Sequence, residues 1–203
     1  VTCGSTTWYK EIVNYLSNHN MADQKNYEYI KTKIDIDSII DFWIAETYTT
    51  NNDIVNARFY SHPDINDGKM RAIFYDLDWA MFNVTKNYYI FSTSATPMSR
   101  LQIPTTVLRN LMKNNEFKKR YVERLSYNLN NIWTYEKLSK KLEELYQIYK
   151  KEMPRNCERW NITMENWEDN VNRLRNYIKK RTPIMLNQTK SFFGLSESEM
   201  KKY

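Results

Sequence analysis

Asn51-Asn52-Asp53-Ile54-Val55-Asn56-Ala57-Arg58-Phe59-Tyr60 and, beyond a polar turn, Met70-Arg71-Ala72-Ile73-Phe74-Tyr75-Asp76-Leu77-Asp78-Trp79 decide how this chain folds. Two short β-prone runs, 57–60 and 70–75, flank a turn containing Pro63, Asp64, Asn66, Asp67 and Gly68. β-prone runs joined by Asn, Asp, Gly and Pro read as a hairpin, because those residues supply the backbone geometry of a reversal. It is the one clear β-signal in the sequence. Acidic residues stand just before the first run and just after the second, at chain ends able to present side chains into a shared cleft.

Upstream, a helix is expected to open at Asp35 or Asp37, both natural N-caps, and to run through Ile39, Ile40, Phe42, Trp43, Ile44 and Ala45 to about Tyr48. Apolar residues nearly surround it, which predicts a buried helix. An earlier helix is expected from Trp8 to about His19, with Trp8, Ile12, Tyr15 and Leu16 at helical spacing. Downstream the chain reads as helical from Pro104 onward, with segments 104–113, 116–133, 134–153 and 163–193. Leu138, Leu142, Leu145 and Tyr149 form one stripe. Trp167, Val171, Leu174, Ile178 and Met185 form another, with Gly194 as a C-cap and Pro183 expected to kink or split the helix. Residues 83–103 lack periodicity and read as a long loop. The expected fold class is α+β, mainly α, a helical bundle with one small β-hairpin at the active cleft.

Composition agrees. Of 203 residues 41% are hydrophobic and 15% aromatic, enough for a core and too many for a disordered chain. With 3 glycines and 5 prolines, long helices are favoured over a sandwich of short strands. The net charge of +6 favours acidic partners without choosing among them. Lys118-Lys119-Arg120 and Lys179-Lys180-Arg181 read as solvated helix faces, so no nucleic acid is expected as a partner. Cys3 and Cys157 have no metal-ligand spacing and read as lone thiols, and His19 and His62 as surface or packing residues. No run is long enough for a membrane span and no signal peptide opens the chain, which begins at Val1 and is expected to be part of a longer protein.

Asp76-Leu77-Asp78 places two carboxylates at the end of an apolar strand, where an uncompensated charge costs on the order of several kcal/mol. A hard divalent cation is a common compensation, and Mg²⁺ takes one or two carboxylates together with phosphate oxygens. A bland alternative is that they cap a turn or pair with Arg58 or Arg71. Asp53 and Asn56 offer a carboxylate to accept a hydroxyl proton and an amide oxygen to ligate a metal, the division of labour found in phosphoryl transfer. An Asn/Asp-rich turn would use the same residue types.

The run Ile36-Asp37-Ser38-Ile39-Ile40-Asp41-Phe42-Trp43-Ile44-Ala45-Glu46 resembles the helix that precedes the active site in the CotH (spore coat protein H) kinase family. The Asn-rich loop with Asp53 and Asn56, then Gly68-Lys69 and Phe74-Tyr75-Asp76-Leu77-Asp78-Trp79-Ala80-Met81-Phe82, is similar to that family's most characteristic stretch in order and spacing. Leu108 to Phe117, Glu158-Arg159-Trp160 with Trp167, and Tyr177 to Arg181 resemble its helical tail.

The resemblance implies a protein-kinase-like C-lobe spanning 1–203 as a single domain, with 35–82 as the active-site segment and 104–203 as the helical tail. It implies ATP and Mg²⁺ (or Mn²⁺) as cofactors. Phosphate would pass to serine or threonine hydroxyls in serine-rich segments of a protein such as a bacterial spore coat protein. The setting would be a spore coat or an extracellular cell surface. Asp53 would be the catalytic aspartate that orients and deprotonates the acceptor hydroxyl. Asp76 would be the metal-binding aspartate, Asn56 the second metal ligand, and Asp78 a further ligand or an organiser, the three together holding the nucleotide's metal. The step from Asp53 to Asn56 is a little shorter than the family suggests. No glycine-rich loop that could cover ATP phosphates is found here, so an N-lobe is expected elsewhere in the protein and this chain alone is expected to bind nucleotide weakly and to transfer phosphate poorly. Two other readings stand beside this one. The first is a pseudokinase-like structural or interaction module. The second is a glycosyltransferase using Asp-x-Asp, disfavoured because that chemistry sits on a multi-stranded α/β sheet.

Overall fold

The computed structural model of the chain describes residues 4–53, 57–95 and 102–200, with side chains for all of these except 102–104. They divide into two compact units, one formed by the chain up to Ala80 with Asn87–Leu125, the other by Met81–Lys86 with the chain from Ser126 onward.

The first unit begins with α1 (Thr7–Asn18), α2 (Gln24–Lys31) and α3 (Ile36–Thr49). Of the two candidate caps for α3, Asp35 is the one used: its carboxylate accepts the Ser38 amide at 3.1 Å. That bond satisfies one of the donors every helix start leaves open. Ile39, Ile40, Trp43 and Ile44 are fully buried, so α3 is the core helix its all-round apolar sequence predicts. It stops because Thr50 turns into the left-handed region at φ 50°, an uncommon conformation for a residue other than glycine. α2 was not foreseen; its polar sequence carries an Asp23 cap but only Tyr27 and Ile30 as buried anchors.

Strands β1 (Arg58–Tyr60) and β2 (Arg71–Ile73) pair antiparallel with Arg58 opposite Ile73 and Tyr60 opposite Arg71, which confirms the hairpin with shorter strands than the β-prone runs. The reversal contains Asn66, Asp67 and Gly68 at φ 49°, 55° and 70°, so the residue types that tolerate the left-handed region sit where it is demanded. The hairpin is fastened to the start of α3. Met70 donates to the Lys33 carbonyl at 2.8 Å, Asp35 donates to the Met70 carbonyl at 2.9 Å, and the Ala72 amide donates to Ser38 Oγ at 3.0 Å. The Asp35 carboxylate also takes Asn66 Nδ2 at 2.8 Å and lies 3.4 Å from Arg71 Nε.

The rest of this unit comprises α4 (Tyr88–Ser92), α5 (Gln102–Leu111) and most of α6 (Asn115–Tyr127). α4 lies inside the stretch expected to be a loop. It is too short to show periodicity, yet Tyr88 and Tyr89 are fully buried and Asn87 caps it through the Tyr89 amide at 3.2 Å. Along α6, Arg120 meets Asp37 at 2.7 Å and Arg124 grips Asp41 with both ends of its guanidinium. Arg120 is thus solvated as expected but also paired. Such half-exposed pairs add little stability singly, yet two arginines at i, i+4 facing two aspartates at i, i+4 fix the register of α6 on α3.

In the second unit a π-helical turn (Asn128–Ile132) leads to α7 (Tyr135–Tyr149), α8 (Met153–Trp160), α9 (Met164–Phe193) and α10 (Glu197–Met200). The expected stripe on α7 is only partly covered, since Leu145 and Tyr149 are exposed. α7 instead meets α9 through polar and aromatic contacts. Glu143 accepts from Arg175 at 2.6 and 2.8 Å, and Tyr146 stacks on Trp167 with centroids 5.2 Å apart. α8, unforeseen, buries Cys157. α9 runs from its Thr163 cap to Gly194 without splitting at Pro183. Proline costs that helix one hydrogen bond, the one the Lys179 carbonyl would otherwise accept, on the face where Lys179 and Pro183 are exposed.

Arg181 corrects the reading of 179–181 as a solvated face. Lys179 and Lys180 are exposed, but Arg181 is fully buried. Its Nη1 donates to the carbonyls of Val84 and Lys86 at 2.9 and 3.3 Å and to Gln188 Oε1 at 3.3 Å, while Gln188 Nε2 reaches the Thr85 carbonyl at 2.9 Å. The guanidinium therefore anchors residues 84–86 on α9. Among the described residues no helix is long and apolar enough to cross a membrane.

Removing a buried charge that satisfies several carbonyls is expensive, whereas an exposed lysine contributes little. Arg181→Met is expected to lower unfolding free energy by about 3 kcal/mol and Lys180→Met by less than about 0.5 kcal/mol, read from urea midpoints. Equal effects would show that Arg181 anchors nothing.

Candidate functional site

Past the left-handed turn at Thr50, the chain leaves α3 with Asn51, whose side chain is 2% exposed. A buried amide must be hydrogen-bonded or it destabilises the fold. Asn51 Oδ1 accepts the Asp53 backbone amide at 3.0 Å, a local turn that asparagine side chains form readily. Its Nδ2 points the other way and meets the Asp76 carbonyl at a long 3.5 Å. Next to it, the Asn52 backbone amide and side chain both donate to the Trp79 carbonyl, at 3.2 and 3.3 Å. The segment 51–53 is thereby stitched to the turn 76–80, which closes on itself through Ala80 N–H to the Leu77 carbonyl at 3.1 Å.

These bonds bring together two of the acidic residues singled out from the sequence. Asp53 is half-buried, and Asp76 and Asp78 are exposed. Asp76 sits at φ 62°. A left-handed non-glycine residue costs about 1 kcal/mol or more, and it re-aims the side chain away from the direction β2 would give it. Aspartate tolerates this region better than most residues. Asn56 lies outside the described residues. Among the described residues no three His, Cys, Asp or Glu side chains converge as a metal cage. One or two carboxylates suffice for Mg²⁺ when phosphate oxygens complete its shell. Of the arginines considered as partners, Arg58 donates to the Tyr75 hydroxyl at 2.8 Å and Arg71 pairs with Asp35.

Two residues of this neighbourhood had no role assigned from sequence. In the sequence Asn51 is one more member of an Asn-rich turn. Glu46 is part of α3, and a carboxylate among Trp43, Ile44, Thr47 and Tyr48 on a helix apolar all round is the signal that could have found it. Glu46 is 2% exposed, and its Oε2 has no hydrogen-bond partner among the described residues. Burial pushes its carboxyl up to about 7, against the lowering influence of a hydrogen bond from Asn51.

The consequence for stability has a definite sign. A carboxyl whose folded-state pKa lies above its unfolded value near 4.5 binds its proton more tightly when folded. Its favourable contribution is therefore present at low pH and is lost as pH rises from about 4.5 to about 7. The loss amounts to about 3 kcal/mol at about 1.4 kcal/mol per pKa unit. Glu46→Gln, neutral throughout, is expected to gain about that much on the wild type between pH 4.5 and pH 8 in urea unfolding. A pH-independent difference would contradict the raised pKa.

A family model described as CotH kinase protein matches residues 1–185, which includes α3, the hairpin, the acidic turn and most of α9. No curated protein and no solved structure matches the chain. With a match over most of its length and the acidic turn inside it, the chain belongs to the CotH kinase family.

Proposed function

We propose that this chain carries the phosphoryl-transfer site of an atypical protein kinase, with Asp53 as the base and Asp76 as the principal metal ligand. The observation that supports this most is the Asn51 amide, which touches the backbone of both residues and so makes one constellation of two distant chain segments. Kinase-like function is what membership of the family supports; the roles of individual residues are the present proposal.

In this reading Asp76, turned out of line with β2 by its left-handed backbone, presents an exposed carboxylate to Mg²⁺ or Mn²⁺. Asp78, two residues on and also exposed, is a further ligand or orders the first, and Asn56 supplies an amide oxygen. The donor set is all oxygen, as a hard cation requires. The metal, bound with ATP, would neutralise charge on the phosphates. Asp53 accepts the proton of a serine or threonine hydroxyl and orients it for attack, while Asn51 and Asn52 hold both segments still. The acceptor would be a serine-rich segment of a spore coat or cell-surface protein, and cover for the phosphates would come from an N-lobe.

Calorimetry of Mg-ATP binding to the full-length protein tests this, with Asp76→Asn as the variant because asparagine also tolerates the left-handed backbone and removes only the charge. Binding is expected to need the metal and to weaken at least about tenfold in Asp76→Asn. Asp53→Asn is expected to bind nucleotide normally and to transfer phosphate about 10²–10⁴-fold more slowly. No binding by the wild type at millimolar nucleotide would overturn the catalytic reading and leave a kinase-shaped interaction module.

A further inference from the structure

Within the first unit, at the opposite end of α3 from the acidic turn, lies a polar cleft of about 480 Å³ between the start of that helix, the hairpin and α6. Its lining carries five cations, Lys31, Lys69, Arg71, Arg120 and Arg124, against three aspartates, Asp35, Asp37 and Asp41. The carboxylates already have donors. Asp35 takes the Ser38 amide on Oδ1 and the Asn66 amide on Oδ2, and Asp41 takes Arg124 on both oxygens. Asp37 takes Arg120 on Oδ2 at 2.7 Å, and its buried Oδ1 lies 3.9 Å from Arg124 Nη1.

The cations are less fully engaged. Lys31 is held by Glu28 and Glu116 at 2.7 and 3.1 Å. Lys69 Nζ, by contrast, has no hydrogen bond or ion pair among the described residues. Arg71 meets Asp35 only through Nε, at 3.4 Å, and Arg120 meets Asp37 only through Nη2. Nη1 and Nη2 of Arg71, and Nε and Nη1 of Arg120, therefore have donors to offer, on side chains 38% and 45% exposed. A cleft whose acceptors are satisfied and whose donors are in surplus selects an anion over a cation. A carboxylate brings two oxygens, whereas a phosphomonoester brings three and a charge of about −1.5 to −2, enough to meet three separate cationic groups.

We propose that this cleft binds a phosphoserine, through Lys69, Arg71 and Arg120, on an acceptor segment that has already been phosphorylated once. The identity of the carrier rests on the kinase reading, and the preference for a phosphate does not. The cleft is larger than one phosphate group, which leaves room for the residues on either side of it. The hairpin also joins the cleft to the proposed site. Arg71 lines the cleft and Asp76 stands five residues further along the same run of chain, which spans at most about 17 Å at about 3.3 Å per residue. An extended acceptor segment crosses that distance in about five residues. A phosphoserine held in the cleft thus brings a second serine, about five or more residues away, within reach of Asp53 and Asp76, so that one phosphorylation recruits the next.

The test has two arms. In the first, calorimetry on the 203-residue chain compares a serine-rich peptide carrying one phosphoserine, the same peptide unphosphorylated, and inorganic phosphate. The phosphopeptide is expected to bind at least about tenfold more tightly than either. Its affinity is expected to fall about fivefold or more in Lys69→Met, which removes a charge without a native partner, and in Arg71→Lys. The second variant keeps a charge beside Asp35 and removes only the planar fork. Equal affinity for the two peptides, binding unchanged in both variants, or inorganic phosphate binding as tightly as the phosphopeptide (an adventitious ion only) would overturn the proposal. So would a preference for phosphatidylserine vesicles over the phosphopeptide. In the second arm, phosphotransfer by the full-length protein is measured on serine peptides with a phosphoserine about five residues from the acceptor. KM is expected to be about tenfold lower than for the unphosphorylated peptide with kcat unchanged, and the difference is expected to vanish in Lys69→Met. Equal KM in the wild type would overturn the recruiting role. A wild type that transfers no phosphate to any peptide would remove the kinase reading, and the recruiting role with it, while the first arm still decides whether the cleft is a phosphoserine site.

Discussion

One side-chain amide ties the proposed site together. Asn51 is buried at the point where the core helix ends, and it bonds to a backbone atom of each of the two acidic segments. Its constraint is reciprocal. Burial obliges the amide to find partners, and the partners available are the chain ends carrying Asp53 and Asp76. Phosphoryl transfer asks a protein mainly for placement of charge, so a link between the proposed proton acceptor and the proposed metal-binding carboxylate is the feature on which such chemistry would depend most.

Asp35 performs the equivalent task at the other end of α3. It caps the helix, accepts from Asn66 in the hairpin reversal and pairs with Arg71 on β2. Between the two residues, α3 carries the hairpin at its start and the acidic segments at its finish. The intervening turns are packed by Ile39, Ile40, Trp43 and Ile44. The position of Asp76 is therefore set twice, through β2 from the start of the helix and through Asn51 from its end. The left-handed turn at Asp76 is the strain this double constraint maintains.

Much of this was legible in the sequence where the signal was local. The α3 cap, the hairpin and its Asn-Asp-Gly reversal, and the Thr163 and Gly194 ends of α9 each depend on a few neighbouring residues whose backbone preferences are strong. Asp53 and Asp76 could be picked out because acids at the ends of apolar elements are unusual. What stayed hidden was tertiary. Arg181 sits three residues after Ile178 and four before Met185, on the buried stripe of α9, but two adjacent lysines disguised it as surface. α4 is too short for periodicity and is held by the burial of Tyr88 and Tyr89. Pro183 was expected to kink or split α9, and the helix runs through it unsplit. Asn51 gains its meaning only from the Asp76 turn folding back 25 residues later in the chain.

The proposed site requires that a metal-bound nucleotide sit at the joined acidic segments. Paramagnetic broadening by Mn²⁺-ATP, followed by NMR on the 203-residue chain, locates it without requiring turnover. Amide signals of Asp53 and of Asp76 to Trp79 are expected to broaden first. Those of α9 should persist, and the effect should disappear in Asp76→Asn. Broadening centred elsewhere, or unchanged in that variant, would contradict it.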